Sequence, residues 1–416
     1  MTATSGIDSR IGLALSGGGI RAAVFHLGVL RRLAEAGMLE HVVQISTVSG
    51  GSLVTGAIFS EANGQWPSSE RFLAEIYPRL RKLLSAGDLF SFKALGFMGL
   101  LKKNVRIVDR RAHILSELLR TRWGIGLKLS DLPATPVWHI NTTCYETGKN
   151  WRFTHESMGD WQFGRHYSPN VSVADAIAAS AAVPYAIGAL RLNLPPDGWW
   201  ETDPATKRPL RKKNPASSIV RLWDGGAYEN LALEQLYKPA SGLEGCDVLI
   251  CSDASGPLGK PKSLFRALRE GGLAAPRLFD IASDQIRSLR SRMLLKSIRD
   301  KQVDGFLIRI GTSARQFTPT AGKLPGLTDE QCASCLNYPT DLLKIELPEF
   351  DLLADHGFEV AHLTLAEFSG GRFARRTKDE ASVSIHEEQV LSGGVHVFSG
   401  RLNLDWPKAI DGSPGS

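Results

Sequence analysis

The chain has 416 residues, 43% of them hydrophobic and 22% charged, with a net charge of +6. That balance describes an ordinary folded globular protein and excludes a disordered, fibrous or collagen-like chain, and the length is enough to bury a core without disulfides or structural metal. The five cysteines (Cys144, Cys246, Cys251, Cys332 and Cys335) are odd in number and lack framework spacing, and the lone C-x-x-C has no second pair, so the reading expects a reducing, cytoplasmic setting with no metal and no cofactor.

In chain order, the first ten residues carry no apolar core of a signal peptide, and no run of about 18 apolar residues follows anywhere. Ile11 to Leu15 is a short apolar run, expected to be a buried strand, and it enters the turn Ser16-Gly17-Gly18-Gly19. Ile20, Val24, Leu27, Leu30 and Ala34 then mark one helical face, closed by Gly37. Val42 to Ile45 is a second strand, running into Ser49-Gly50-Gly51 and a small-residue helix from about Ser52 to Ala62. Strand, turn, helix, repeated, predicts an α/β fold with a mainly parallel central sheet covered by helices. Residues 68–130 read as a helix-rich insertion or cap. Val137 to Asn141, Ile219 to Trp223, Val248 to Cys251 and Phe306 to Ile310 read as strands, and Val173 to Ala182 as a helix stopped before Pro184. Pro195 to Ser217 reads as a long surface loop. Residues 11–310 are expected to form the main domain, 311–406 an extension packed on it, and 407–416 a flexible tail.

Two places offer chemistry. Gly17, Gly18 and Gly19 set bare N–H groups at a helix start, where an anion is stabilised. The anion could be a cofactor phosphate, since the glycines satisfy the dinucleotide fingerprint. That reading needs an acid at the end of the second strand, which ends Ser46-Thr47-Val48-Ser49 instead. Ser49 stands between a strand and a helix among small residues, the layout of a nucleophile elbow, with Thr47 where the usual pattern has its first glycine. The sequence around Ser49 does not name a base. Asp224-Gly225-Gly226 follows a strand, and burial would raise its carboxyl toward a useful basicity. His26 and His139 lie near candidate segments and could complete a triad, though a structural role for both is favoured.

The order SGGGIR, then SGGS at a strand-to-helix turn, then DGG far downstream resembles the patatin-like phospholipases. Ala178 to Pro184 (AASAAVP) and Asp247 to Pro257 fit the same family, so the resemblance spans roughly residues 11–257. It implies a three-layer α/β/α fold and acyl hydrolysis of a lipid ester through an acyl-enzyme. It also implies Ser49 as nucleophile, Asp224 as base without histidine, and the Gly17, Gly18 and Gly19 amides as oxyanion hole. Arg21 matches the basic residue after the glycines, placed to orient the loop or meet a substrate phosphate.

Three basic clusters suit an anionic partner: Lys102, Lys103 and Arg106; Lys207, Arg208, Arg211, Lys212 and Lys213; and Arg287, Arg290 and Arg292. No nucleic-acid module accompanies them, so the expected partners are a lipid substrate and an anionic membrane surface. The apolar stretch Leu89 to Leu101, flanked by Lys102 and Lys103, is either a peripheral docking segment or a packed helix. A nucleotide-binding oxidoreductase and a noncatalytic module that kept the fold are the competing classes.

Overall fold

Strand β1 (Ile11–Leu15) is buried at every position, as a strand covered on both faces must be. The computed structural model describes residues 9–89, 111–184, 186–203, 208–258, 275–318 and 326–373. The tail 407–416, the end of the extension from 374, and the stretch after Leu89 lie outside the described residues; Leu89 itself is buried.

After β1 come α1 (Gly19–Glu35), β2 (Val42–Thr47) and α2 (Gly50–Glu61), the alternation the sequence predicts. Helices α3 (Tyr77–Ala86) and α4 (Arg111–Trp123) precede β3 (Val137–Cys144), β4 (Asn150–Phe153), β5 (Ser157–Asp160) and β6 (Gly164–Tyr167). Helix α5 (Val173–Ser180) follows, then β7 (Leu190–Asn193), β8 (Trp199–Thr202), β9 (Pro209–Lys212) and β10 (Ile219–Asp224). A small hairpin, β11 (Tyr237–Lys238) and β12 (Gly242–Leu243), leads to β13 (Val248–Asp253), α6 (Ala275–Arg299), β14 (Gly305–Arg309), α7 (Asp329–Asn337) and α8 (Leu347–Phe368).

The main sheet runs β14-β13-β1-β2-β3-β4-β5-β6-β8-β9. Its centre, from β14 to β3, is wholly parallel, and everything from β4 outward is antiparallel. Along β1 and β13 the side chains alternate between two cores. Ile11, Leu13, Val248 and Ile250 join α1, α2 and α8 on one face; Ala14, Leu249 and Cys251 join Leu294 of α6 on the other. These are the three layers.

Strand β3 has two edges, and the second is shared. β4 takes one edge over Ile140 to Thr143. On the other, β2 pairs as far as Thr47 with Ile140, and β10 continues with Asp224 opposite Thr142. The parallel strand and the antiparallel strand therefore meet end to end. This shared edge is what brings their two C-terminal ends together.

Helices α1 and α8 pack at glycines. A Cβ on Gly28 would fall 1.9 Å from the Ala354 carbonyl oxygen, and one on Gly357 would fall 2.1 Å from that of Phe25. Such backbone-to-backbone contact leaves no room for a side chain. The expected surface loop over Pro195 to Ser217 is instead partly the hairpin β8–β9. Trp199 explains the difference: it buries itself 5.3 Å from Phe163 and 5.9 Å from Trp151 between ring centroids, a long-range contact that local proline and basic content conceals.

Candidate active site

Ser49 sits between β2 and α2 with φ 49° and ψ −112°, a left-handed setting that a non-glycine residue adopts only under constraint. Strain of this kind costs on the order of 1–3 kcal/mol and persists where the surroundings over-determine it. The two glycines after it explain the tight turn. A Cβ on Gly50 would lie 2.4 Å from the Gly19 carbonyl oxygen, and one on Gly51 would lie 2.3 Å from that of Leu15. The starts of α1 and α2 are thus in backbone contact, and two helix N-termini converge beside the serine.

Asp224 closes β10 and is buried. Its carboxylate accepts the Gly226 N–H at 2.7 Å and shares a cavity wall with Ser49, whose side chain favours the charged form. Burial pushes the carboxyl from 3.8 up to about 7, against the downward pull of those two neighbours. Gly225 fits where a Cβ would meet the Asn141 carbonyl oxygen at 2.5 Å. Ser49 and Asp224 line one cavity of about 340 Å³, together with Gly18, Arg21, Asn230 and residues of α6.

The glycine loop divides its work. The Gly17 N–H donates to the Asn230 carbonyl at 3.1 Å, so the sequence expectation is corrected here: that donor is already engaged. Asn230 lies far along the chain, which is why local reading missed it. The Ile20 N–H donates to Asp341 O at 2.9 Å, whereas Gly18 and Gly19 keep amides without a backbone acceptor among the described residues. Asn230 itself was not singled out from sequence. Its side chain donates to the Ser255 hydroxyl at 2.8 Å, and its Oδ1 stands where a Cβ on Gly17 or Gly226 would collide.

Of the two roles expected for Arg21, its bonds fit the orienting of the loop. Its guanidinium is buried and donates to the carbonyls of Leu336 (3.2 Å), Tyr338 (2.8 Å) and Ala254 (3.2 Å), and burial lowers its pKa to about 10. The group ties the start of α1 to two remote segments, and a substrate phosphate would compete with these bonds. No histidine is among the cavity's described lining residues. His26 is buried between the Ser252 hydroxyl (2.8 Å) and the Ser16 carbonyl (3.0 Å), and burial lowers it to about 4. His139 meets Gln44 at 3.1 Å and is likewise lowered to about 4 by burial. In the basic cluster on α6, Arg287 pairs with Asp253 and Asp284, and Arg290 with Glu234.

One group could be read as a metal site. Cys332, His356 and Glu359 bring potential ligand atoms within 4.8 Å of one another. The bond polarity is wrong for an ion: His356 Nε2 accepts the Gly311 N–H at 2.8 Å, which places the neutral ring's proton on Nδ1, the atom an ion would need. The Glu359 carboxylate accepts the Leu327 N–H at 3.0 and 3.2 Å. The cluster reads as a hydrogen-bonded helix junction.

The family pattern described as patatin-like phospholipase matches residues 13–237, more than half of the chain. No curated protein matches it. Among solved structures the chain is similar to human GIVD cytosolic phospholipase A2, at 13% identity and a TM-score of 0.51, over 88% of this chain and 63% of that one. The same human protein in complex with methyl gamma-linolenyl fluorophosphonate and terbium chloride gives 14% identity and a TM-score of 0.46, over 88% and 60%. VipD from Legionella pneumophila gives 14% identity and a TM-score of 0.31, over 86% and 67%. The chain thus spans less than two thirds of the human structures it matches, and at these identities the likeness is one of fold.

Proposed function

The chain belongs to the patatin-like phospholipase family, and we propose that it is a lipid acyl hydrolase, of phospholipase A or lysophospholipase type, working through a Ser49–Asp224 dyad. The observation that carries this reading is the buried Asp224 carboxyl, raised to about 7 and set in one cavity with a strained serine whose side chain acts on its charge. A carboxyl near neutrality serves both as base and as acid at neutral pH. Asp224 takes the Ser49 proton as Oγ attacks the ester carbonyl. The amides of Gly18 and Gly19, with that of Gly50 at the start of α2, receive the negative charge on the carbonyl oxygen. Collapse breaks the ester C–O bond, and protonated Asp224 gives its proton to the leaving alcohol. Water then attacks the acyl carbon as it loses a proton to Asp224, the bond to Ser49 Oγ breaks, and Asp224 returns the proton to that oxygen as the carboxylic acid leaves. Labelling with a fluorophosphonate tests the reading: adduct mass on Ser49, abolished by Ser49→Ala in a folded protein, is the expected result. An adduct elsewhere or none would overturn it.

The reading includes peripheral contact with an anionic membrane from a cytoplasmic location; all five cysteines are free and buried. No helix among the described residues is long and apolar enough to cross a membrane. Helix α6 lines the cavity with Phe279, Ser283 and Arg287 and exposes Leu278, Ile281 and Leu289, with Arg292 and Lys296 exposed farther along. Apolar residues beside cations suit an anionic lipid surface. Replacing Leu278 and Leu289 by Ser should weaken sedimentation with anionic phospholipid vesicles while sparing hydrolysis of a soluble ester. Unchanged vesicle binding would remove α6 from the docking face.

A further inference from the structure

The nucleophile turn carries Thr47 where its pattern calls for glycine, and the threonine hydroxyl does not stand idle. Trp138 Nε1 donates to Thr47 Oγ1 at 2.9 Å, Thr47 Oγ1 meets Ser52 Oγ at 2.8 Å, Ser52 Oγ meets Ser180 Oγ at 2.8 Å, and Ser180 Oγ donates to the Asn141 carbonyl at 2.7 Å. All four side chains are buried. The Ser49 amide joins at the far end, donating to Ser180 Oγ at 3.0 Å.

The chemistry of the two ends fixes the direction of every proton between them. An indole N–H only donates and a carbonyl only accepts. Ser180 gives its one proton to Asn141 O, so it can only accept from Ser52. Ser52 has then used its proton, so it can only accept from Thr47, and one of the lone pairs on Thr47 takes the indole N–H. Ser180 Oγ is left with both lone pairs occupied, by the Ser52 hydroxyl and the Ser49 amide. No rotor in the chain is free to turn.

We infer that this one-way hydroxyl chain, Trp138 to Thr47 to Ser52 to Ser180, positions the nucleophile by holding Ser180 as the acceptor of the Ser49 amide, and that Thr47 is the part of it that replaces the missing glycine. The chain does not carry the reaction's proton, because Ser49 joins it through its amide and not through its hydroxyl. Its members are positioning residues. The same turn grips the other partner, since the Ala182 carbonyl accepts the Asp224 N–H at 3.0 Å. The end of α5 therefore holds both strand ends, one by a side chain and one by the backbone.

The inference rests on the hydrolase reading for its kinetic consequence, and two readouts separate them. Thr47→Val keeps the shape and removes the hydroxyl; Thr47→Ser keeps the chain. In the full protein, Thr47→Val should lower kcat on a soluble ester by about tenfold or more with KM within about twofold, the pattern of a group acting on the transition state alone. Thr47→Ser should restore most of it. Ser180→Ala should cost more and Trp138→Phe less, and the Ser49 amide should exchange its hydrogen faster in the same order. Wild-type kcat and wild-type Ser49 exchange in Thr47→Val would overturn the inference. If the wild-type protein neither turns over ester nor takes the fluorophosphonate, the hydrolase reading falls, and amide exchange still decides the chain. If Ser180→Ala fails to fold, Thr47→Val and Trp138→Phe carry the test.

Discussion

The two strand ends that meet in the cavity are held in opposite ways. At the end of β2, Ser49 occupies a strained backbone setting, and its amide is held by a side chain, the Ser180 hydroxyl. At the end of β10, Asp224 has φ −44° and ψ 134°, outside the left-handed region. Its N–H donates to the Ala182 carbonyl, and its carboxylate accepts the Gly226 N–H. Backbone partners survive substitution and side-chain partners do not. The nucleophile's position should therefore depend on its neighbours, and the base's position on the fold as a whole.

The largest effect expected of this contrast is at the base itself. Asp224→Asn should cost about 10⁴-fold in ester hydrolysis, nearly as much as loss of Ser49, because the two act as one unit. In the wild-type protein kcat/KM should rise as pH passes through about 7, where the buried carboxyl ionises. The stability of the fold should move the other way. The folded carboxyl binds its proton up to about 7, whereas the unfolded one releases it near 3.8. Between those values the native state holds more protons, so stability falls as pH rises across the window and levels off above it. Asp224→Asn escapes that loss. It should stabilise the fold at pH 8 by up to about 4 kcal/mol, read as a higher melting temperature, and give almost no gain near pH 4. A variant that is both inactive and less stable at pH 8 would break the account of Asp224.

On the nucleophile side, Gly50→Ala puts a methyl group 2.4 Å from the Gly19 carbonyl oxygen and must part the two helix starts. Hydrolysis should drop by about 10²-fold, the scale of losing one oxyanion donor, with KM little changed. A variant with wild-type kcat would show that these helix starts need not touch. The smallest effect is expected back at the base. Thr143→Val removes the hydroxyl that donates to the Asp224 carbonyl at 2.9 Å. Its cost should be about 1 kcal/mol of stability, with kcat within about twofold of wild type. If kcat collapsed instead, the base would prove as dependent on side chains as the nucleophile, and the contrast would fail.

How much of this could be read in advance follows the range of the interactions. The opening strands and helices announce themselves within a few residues, through apolar runs, helical periodicity and glycine turns, and the structure forms them with boundaries shifted by a residue or two. Ser49 and Asp224 stood out for the same local reason, as small-residue turns at strand ends. Their proximity was not local. It depends on β10 pairing with β3, across a stretch that held the unread hairpin β8–β9. The partners of Arg21 and Gly17 escaped for a similar cause: Leu336, Tyr338, Ala254 and Asn230 lie hundreds of residues away. Helices α6 to α8 lay beyond the segment whose motifs carried the resemblance, yet α6 lines the cavity and α8 backs the glycine-loop helix.

The shared edge of β3 turns the dyad's spacing into a count. Thr47 stops opposite Ile140 and Asp224 stops opposite Thr142, so one residue of β3, Asn141, is the gap between the two strands. Strand positions come in steps of about 3.3 Å and alternate faces, so there is no intermediate setting between one register and the next. Loops on either side can lengthen or shorten without changing that number. A single residue inserted at Asn141 would shift the acid by one step and turn its side chain to the opposite face of the sheet. β3 supplies neither of the two reacting groups, and it is the ruler against which their separation is set.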